Sequence, residues 1–397
     1  MPRVLLDVSV LGSQSRGRGI GRYVADLGRA LARAAGPDCD LELLGVERLP
    51  WLRPAVVTRE LAGAIDRLTH AGAPCEGHMA WAYRLRLGMA AAARAAGADL
   101  LHCGHPDATP LGRTGCPRLT TCHDLIPLRW PREYLTWKDG YRIGQRLLDR
   151  RRYLWADHII AVSEATAADL VARLAVPARR ISVVPNGLDL TQWPSQPQPG
   201  DDAVCAGHGL EPQRFLLCVG SADWRKNCIG VLHALAVCRR RQPALDLRLA
   251  WAGETRPALL GRLRLGARAL GVAPAVQLLG EMTREHLGAL YRTAAATLVV
   301  SWQEGFGYPV LEAMASGCPV VASNCSSLPE VAGDAAILVD PDCPEAIAAA
   351  ALCPVESPAE RLRLAEAGLA RARRFSAERC AQETLAVYRQ VLRGAAA

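Results

Sequence analysis

The hydrophobic and polar positions of the chain alternate between two kinds of segment. Short, continuous apolar runs predict strands at residues 4–10, 41–46, 100–103, 118–122, 158–162 and 181–184, and then at 215–219, 247–252, 276–279, 296–300, 319–322 and 336–339. Stretches with helical periodicity separate these runs, for example at 23–35, 89–97 and 164–174. Apolar strands that alternate with helices are typical of a parallel sheet with helices on both faces. The sequence therefore predicts an α/β protein.

A proline-rich, polar segment at residues 193–204 divides the two sets of predicted strands and is interpreted as a linker. It would separate an N-terminal domain, residues 1–192, from a C-terminal domain, residues 205–375. A last helix is expected within residues 376–397. No sequence repeat relates the two halves.

Composition and length fit a globular protein of two domains. Half of the 397 residues are hydrophobic, which is enough for each domain to bury a core. No apolar run approaches the roughly 18–20 residues of a membrane-spanning helix, and Asp7 interrupts the first apolar run, so we expect no signal peptide. The 14 cysteines are scattered without a C-x-x-C pair, which indicates free thiols and a cytoplasmic protein.

The positive charge lies mainly in the first half. Residues 1–190 hold 26 basic and 19 acidic side chains, against 21 and 20 in the remainder, and the excess includes Arg150, Arg151 and Arg152. Two interpretations stay open: contact with an anionic membrane or acceptor, and ordinary solvated surface. We expect no nucleic-acid partner, because the excess is spread out and aromatic residues are only 5% of the chain.

The most informative segment begins at residue 301 and reads S-W-Q-E-G-F-G-Y-P-V-L-E. It places Glu304 after a predicted strand, then a glycine turn, then a helix start at Pro309, then Glu312. Free N–H groups at a helix start bind phosphate, and glycines allow a ligand to approach the backbone closely. The two carboxylates could hold a sugar ring and a ribose diol, with a diphosphate over the turn. The alternative is a solvated helix that carries two surface glutamates.

A second segment, V-G-S-A-D-W-R-K-N (219–227), contains Lys226, one of only two lysines in the chain. An ammonium group is a compact point charge that suits phosphate oxygens. Arg225 and Lys226 follow a predicted strand, and a helix is expected to begin near Asn227. These features predict a phosphate site, with an exposed basic pair as the alternative. The other lysine, Lys138, has no comparable context and is expected on the surface.

Both segments resemble retaining glycosyltransferases of the GT-B fold, family 4 (glycosyl transferase group 1). The matching positions are V-G-x4-R-K-N and Glu304, Gly305, Phe306, Gly307, Pro309, Leu311, Glu312, Ala313, Gly317 and Pro319. The resemblance implies two Rossmann-like, doubly wound domains that face each other across a cleft. It also implies that the last helix returns to the first domain.

Two N-terminal elements resemble the mannosyltransferase-like branch of the same family. The glycines of G-R-G-I-G-R-Y (17–23) do not fit a dinucleotide fingerprint, but they resemble a G-I-G-R-Y turn of that branch, and a simple tight turn is the alternative. The segment at 123–127 resembles an H-D-L-I-P motif in which His123 contacts the donor sugar. A core histidine is the alternative there.

The resemblance implies catalytic roles for His123, Arg225, Lys226 and Glu304. It implies donor-binding roles for Gly19, Ile20, Gly21, Asp124, Gly220, Ser221, Gly253, Gly280, Met282, Gly305, Phe306, Gly307, Tyr308, Leu311 and Glu312. We expect no cofactor and no metal, because the basic pair and a helix start already supply positive groups for phosphate. The D-x-D patterns at 38–40 and 340–342 are typical of a metal-bound diphosphate, but the same positive groups make a metal unnecessary there. The H-C-G-H and C-H-D runs at 102–105 and 122–124 lack the paired spacing of a structural zinc site.

The predicted function is retaining transfer of a hexose from a nucleotide-diphosphate sugar to a saccharide or a lipid-linked saccharide, in surface glycan synthesis. GDP-mannose is the first candidate donor and a UDP-sugar the second. The family's front-face mechanism implies that the leaving phosphate takes the acceptor proton, so Glu304 need not be a nucleophile. Two alternatives are a non-catalytic nucleotide-sugar-binding subunit of a glycan-assembly complex and a GT-B nucleotide-sugar epimerase. We expect the protein in the cytoplasm, where it could attach peripherally to the inner face of the cytoplasmic membrane.

Overall fold

A computed structural model of the protein describes residues 1–13, 15–34, 40–45, 55–57, 88–110, 112–131, 150–221, 223–253 and 257–396. Lys138 and the D-x-D pattern at 38–40 lie outside the described residues, except for Asp40. The chain divides into two compact units. Unit 1 comprises Met1–Leu188 with Ser376–Ala397, and unit 2 comprises Asp189–Phe375.

Each unit contains one sheet. The unit 1 sheet has the order β3-β2-β1-β4-β5-β6-β7, formed by β1 (Arg3–Asp7), β2 (Asp40–Gly45), β3 (Ala55–Val57), β4 (Leu100–Cys103), β5 (Arg118–Cys122), β6 (His158–Ala161) and β7 (Ile181–Val183). The unit 2 sheet has the order β10-β9-β8-β11-β12-β13, formed by β8 (Phe215–Val219), β9 (Arg248–Ala252), β10 (Val276–Gly280), β11 (Ala296–Val299), β12 (Val320–Ser323) and β13 (Ile337–Val339). All neighbouring strands run parallel except β2 and β3.

Helices connect the strands. They are α1 (Gly19–Ala34), α2 (Ile126–Arg129), α3 (Glu164–Leu174), α4 (Asp201–Gly207), α5 (Cys228–Arg241), α6 (Pro257–Ala269), α7 (Arg284–Thr293), α8 (Tyr308–Ala315), α9 (Leu328–Ala332), α10 (Pro344–Glu356), α11 (Pro358–Ala372) and α12 (Ala377–Ala396). Residues 88–95 and 150–154 are also helical. No helix in the described ranges is long and apolar enough to cross a membrane.

The twelve predicted strands are all present, and the parallel α/β architecture is confirmed. Three predictions need correction. The first strand ends at Asp7 instead of continuing to residue 10, because the chain turns there into a 3-10 helix. The G-I-G segment at 19–21 is the first turn of α1 instead of a loop. The predicted linker at 193–204 is partly helical, because α4 begins at Asp201.

Both sheets contain a point at which the direction of winding changes. In unit 2 the chain passes from β8 outward to β9 and β10, and then returns to β11 on the other side of β8. In unit 1 it passes from β1 outward to β2 and β3, and then to β4 on the other side of β1. Open α/β sheets bind ligands at the carboxyl ends of the strands that flank such a point.

The last helix, α12, packs within unit 1. Tyr388 Oη lies 2.7 Å from His102 Nδ1, and His102 Nε2 lies 2.8 Å from Thr121 Oγ1. Thr121 Oγ1 in turn lies 3.1 Å from Tyr23 Oη. Burial lowers the pKa of His102 from 6.5 to about 3, so the ring is neutral and can accept one hydrogen bond while it donates the other. This buried network ties α12 and α1 to the sheet.

Asp7 is fully buried at the carboxyl end of β1. Its Oδ1 accepts a hydrogen bond from Ser9 N at 3.0 Å, whereas Oδ2 has no partner among the described residues. Burial raises the pKa of Asp7 from 3.8 to about 6. The folded state therefore binds a proton more tightly than the unfolded chain, and the stability that this supplies is lost as pH rises through about 6.

The variant Asp7→Asn is expected to be more stable than the wild type at about pH 7.5, by roughly 1–3 kcal/mol, because it carries no buried charge. Urea unfolding between about pH 4 and 8 measures this, and the gain should shrink as pH falls below the Asp7 pKa. Asp246→Asn, at an aspartate whose side chain is 61% exposed, is the control. An unchanged pH dependence in Asp7→Asn would contradict the assignment.

Candidate active site

Three predicted site residues meet in unit 2 at the change in winding between β8 and β11. Arg225 and Lys226 lie in a 3-10 turn after β8, and Glu304 lies after β11. Arg225 Nη1 donates to Glu304 Oε2 at 2.9 Å, and Lys226 Nζ donates to Glu304 Oε1 at 2.5 Å. The two predicted segments, 78 residues apart in sequence, thus form one charged cluster.

Glu304 is 8% exposed, and the surroundings of its carboxylate favour the ionised form. Ser301 Oγ donates a further hydrogen bond to Oε1 at 2.8 Å. Burial alone would raise the pKa, but the charges of Lys226 and Arg225 outweigh it and lower the Glu304 pKa from 4.5 to about 2. Glu304 is therefore an anion at neutral pH and cannot donate a proton there.

Glycines line the carboxyl ends of the strands beside this cluster. Gly220, Gly253 and Gly280 follow or end β8, β9 and β10, and all three have positive φ. The backbones are close, since Gly220 N donates to Ala252 O at 2.8 Å and Gly253 N donates to Gly280 O at 2.7 Å. A Cβ on Gly253 would lie 2.6 Å from the Gly220 carbonyl, so no side chain fits there. Ser221 is exposed and Met282 is partly exposed on the same edge.

The glycine turn after Glu304 leads into α8 as predicted. Gly307 has φ +110° at the helix start, Tyr308 is the first helical residue and Pro309 follows it. Gly305 is partly exposed, whereas Phe306, Tyr308 and Leu311 are buried. The Phe306 and Tyr308 rings pack edge to face with centroids 5.5 Å apart. A ligand could therefore reach the backbone of the turn at Gly305, but not the side chains of Phe306, Tyr308 and Leu311.

Glu312 lies inside unit 2 with no exposed surface. Its Oε2 accepts a hydrogen bond at 3.0 Å from Tyr291 Oη of α7. Sequence reasoning did not identify Tyr291 as its partner. Contact between Glu312 and a ribose stays a prediction.

The predicted site residues of unit 1 lie at the carboxyl edge of its own sheet. His123 follows β5, and its Nε2 donates to Gly104 O at 2.9 Å. Tyr23 packs edge to face against the His123 ring, with centroids 5.0 Å apart. Burial lowers the pKa of His123 from 6.5 to about 4. The ring is therefore neutral above that pH, and Nδ1 is left as a hydrogen-bond acceptor.

The other unit 1 candidates have clear local roles. Asp124 Oδ1 accepts from Ile126 N at 3.0 Å and so holds the start of α2. Gly19 is exposed and Ile20 is partly exposed on the first turn of α1. A Cβ on Gly21 would overlap the carbonyl of Arg16, so a glycine is required there by packing. Their contact with a donor stays a prediction.

Two serines that sequence reasoning missed hold the backbone around Glu304. Ser326 Oγ accepts from Glu304 N at 2.9 Å and donates to Glu304 O at 2.7 Å. Ser327 Oγ donates to two carbonyl oxygens, Glu304 O at 3.0 Å and Phe306 O at 2.9 Å. The sequence feature that indicates them is the polar run S-N-C-S-S (323–327), which begins at the last residue of β12 and lies at the same sheet edge as Glu304.

Ser326 has a left-handed backbone, with φ +63°. Ser326→Ala and Ser326→Gly both remove the hydroxyl, but only alanine keeps a Cβ in this conformation. We therefore expect the alanine variant to be the less stable of the two by about 1 kcal/mol. At ordinary backbone positions the glycine variant would be the less stable one. Urea unfolding of both variants measures the difference, and an alanine variant as stable as the glycine variant would contradict the conformation.

Among the described residues, no group of three or more His, Cys, Asp or Glu side chains is arranged to hold a metal ion.

The three arginines at 150–152 differ in their exposure to solvent. Arg152 Nη2 is buried 2.8 Å from Asp107 Oδ1, whereas Arg150 and Arg151 are exposed. Arg152 therefore contributes nothing to an exposed basic patch.

Known proteins share both the sequence pattern and the fold. Residues 17–192 match the family model described as Glycosyltransferase Family 4, and residues 213–356 match the model described as Glycosyl transferases group 1. A D-inositol 3-phosphate glycosyltransferase from Salinispora arenicola is 29% identical over 75% of this chain and 70% of its own length. A second such enzyme, from Salinispora tropica, is 30% identical, and the chain spans 65% of its length.

Solved structures extend the likeness to nearly the whole chain. Sucrose-phosphate synthase from Thermosynechococcus elongatus superimposes with a TM-score of 0.73 at 22% identity, over 99% of this chain and all of that one. HepE from Anabaena, solved in complex with UDP and glucose, gives a TM-score of 0.72 at 16% identity, over 98% of this chain and all of that one. The fold is therefore GT-B. With both family models matched in order along the chain, this protein is a transferase enzyme that belongs to the family-4, group 1 glycosyltransferases.

Proposed function

We propose that the protein transfers a hexosyl group from a nucleoside diphosphate hexose to a saccharide hydroxyl, with retention of the anomeric configuration. The observation that carries the proposal is the cluster of Arg225, Lys226 and Glu304 at the change in winding of the unit 2 sheet. Two cations at this edge of an open α/β sheet suit a diphosphate. A carboxylate between them suits the positive charge that develops on the sugar.

In the proposed complex the donor diphosphate takes the place of Glu304 as the partner of the basic pair. Arg225 and Lys226 then stabilise the charge that develops on the leaving phosphate, which is the kind of interaction that contributes most to catalysis. The turn from Gly305 to Gly307 and the start of α8 lie next to the same phosphates. Glu304, released from the two cations, faces the oxocarbenium-like sugar.

The proton balance supports a front-face reaction. The bond from the anomeric carbon to the phosphate oxygen breaks, the acceptor oxygen bonds to the same face, and the acceptor proton passes to the leaving phosphate. Glu304 is ionised and His123 is neutral near pH 7, because their pKa values are about 2 and about 4. Neither is a proton donor at that pH, and His123 Nδ1 can accept a hydrogen bond from a sugar hydroxyl.

GDP-mannose is the donor that we propose to test first, with UDP-hexoses second. The first choice follows from the G-I-G-R-Y and H-D-L-I-P elements, and the second is supported by HepE, whose structure contains UDP and glucose. We propose a saccharide or a lipid-linked saccharide as the acceptor, in surface glycan assembly. D-inositol 3-phosphate, named in two relatives, belongs in the same acceptor panel.

The experiment incubates the protein with each donor, with and without acceptors, and follows nucleoside diphosphate release and the anomeric protons by NMR. The proposal expects release that depends on an acceptor and a product with the anomeric configuration of the donor. Inversion would contradict retention. Conversion of the donor to its epimer without an acceptor would replace the proposal with the epimerase alternative.

A further inference from the structure

The D-x-D turn at residues 340–342, which the donor site does not use, holds two loops of that site. The turn follows β13 and is closed by a hydrogen bond from Asp342 N to Asp340 Oδ1 at 2.9 Å. Asp342 Oδ1 accepts a hydrogen bond from Trp302 Nε1 at 2.7 Å. Pro341 O accepts one from Asn227 Nδ2 at 2.6 Å. One turn therefore contacts both the loop after β8 and the loop after β11.

The two residues that it holds are sequence neighbours of the charged cluster. Asn227 directly follows Lys226, and its Oδ1 accepts from Gly230 N at 3.2 Å at the start of α5. Trp302 lies two residues before Glu304. The 340–342 turn thus contacts the loop that carries the cations and the loop that carries the carboxylate.

Trp302 also joins the two loops directly. Its backbone N donates to Arg225 O at 2.8 Å, and its indole ring lies against that of Trp224, with centroids 5.7 Å apart and an interplanar angle of 33°. In the observed orientation the indole packs against Trp224 of the β8 loop while its Nε1 donates to Asp342 Oδ1. The hydrogen bond at Nε1 and the ring contact fix the same side chain from two sides.

We propose that Trp302 and the 340–342 turn are positioning elements that set the separation between the basic pair and Glu304, and thereby the affinity of the site for a nucleoside diphosphate. The inference rests on the proposed function and extends it to residues that touch no reacting atom. Charged groups in such a site act only when held within about 0.5 Å of the productive geometry. When the donor diphosphate replaces Glu304 as the partner of the basic pair, the ion pairs no longer fix the spacing of the β8 and β11 loops, and the turn and Trp302 then hold it.

The test compares Trp302→Phe, Asp342→Ala, Asp342→Asn and the double variant Trp302→Phe/Asp342→Ala with the wild type. Phenylalanine keeps a ring against Trp224 but has no N–H, and asparagine keeps an oxygen that can accept from Trp302. Glu360→Ala removes another carboxylate of unit 2, one that pairs with Arg363 on α11, and is the matched control. Circular dichroism and thermal unfolding check that each variant is folded at the assay temperature.

Calorimetry with GDP and UDP and steady-state kinetics with the accepted donor are the readouts. We expect Trp302→Phe and Asp342→Ala each to weaken nucleoside diphosphate binding by at most about 10-fold, the lower end of what a hydrogen bond to a charged group contributes, because this bond is exposed to solvent. The double variant should bind the nucleoside diphosphate as tightly as the weaker-binding single variant does, because the two substitutions remove the same hydrogen bond. Asp342→Asn should recover most of the affinity, and Glu360→Ala should bind as the wild type does.

The outcomes separate this inference from the proposed function. A wild type that binds neither nucleotide overturns the proposed function itself. A wild type that binds, with Trp302→Phe and Asp342→Ala binding equally well, overturns the positioning role alone. Tighter binding by both Asp342→Ala and Asp342→Asn would also overturn it, because Asp342 would then act only by repelling the phosphates.

Discussion

Replacing Lys226 with alanine should lower kcat/KM for the donor roughly 100- to 1000-fold, the usual cost of removing one group that stabilises developing charge. Lys226 Nζ lies 2.5 Å from Glu304 Oε1, and its side chain is 10% exposed. In the alanine variant, water therefore has little access to the place of the Lys226 ammonium group and cannot substitute for its charge. Donor kinetics and nucleoside diphosphate calorimetry on the same protein samples measure the loss.

Arg214→Ala is the matched control for Lys226→Ala. It also removes one positive charge from unit 2, but its side chain is 53% exposed and pairs with Glu211. We expect this control to keep the activity of the wild type. Equal activity of Lys226→Ala and the wild type would show that the donor phosphates bind elsewhere.

The variant Glu304→Gln should separate catalysis from binding. We expect kcat to fall roughly 100- to 1000-fold, because the anion that faces the developing positive charge is lost. Nucleoside diphosphate affinity should be retained or increased, because Glu304 no longer competes with phosphate for Arg225 and Lys226. Single-turnover kinetics and calorimetry with the nucleoside diphosphate measure the two quantities separately.

A parallel loss of nucleotide affinity and kcat in Glu304→Gln would contradict this competition. The pH dependence of stability gives an independent check. The folded-state pKa of Glu304 is depressed to about 2, so its stabilising contribution is present above the unfolded pKa of 4.5 and is lost as pH falls towards 2. The glutamine variant should lack this acid-dependent loss.

Much of the fold could be predicted because buried parallel strands are continuous apolar runs. The runs at 100–103, 118–122 and 215–219 coincide with strands β4, β5 and β8. The predicted end of the first strand was wrong because a local polar contact ends that strand. Asp7 binds the N–H of Ser9 and ends β1 early, although the apolar run continues. The edge strand at Ala55–Val57 was missed because three residues carry too little pattern.

The charged cluster of the site was predictable because a parallel sheet brings its carboxyl ends to one edge. That rule places Arg225, Lys226 and Glu304 side by side once their strands are recognised. The supports around them depend on contacts between distant loops. Ser326 lies 22 residues from Glu304, and Asp342 lies 40 residues from Trp302. The polar run at 323–327 places Ser326 at the same sheet edge as Glu304 but does not identify Glu304 as its partner, and no pattern in the sequence pairs Asp342 with Trp302.

Binding of a donor diphosphate by Arg225 and Lys226 is tested by thermal unfolding of the wild type and Lys226→Ala with UDP-, GDP- and ADP-sugars, without added metal. A ligand that binds only the folded state stabilises it by about 2.7 kcal/mol at 100 times its Kd. We expect one nucleotide class to raise the unfolding temperature of the wild type, and we expect Lys226→Ala to lose this shift. A wild type that no nucleotide-sugar stabilises, or an equal shift in Lys226→Ala, would contradict a donor site built on Arg225, Lys226 and Glu304.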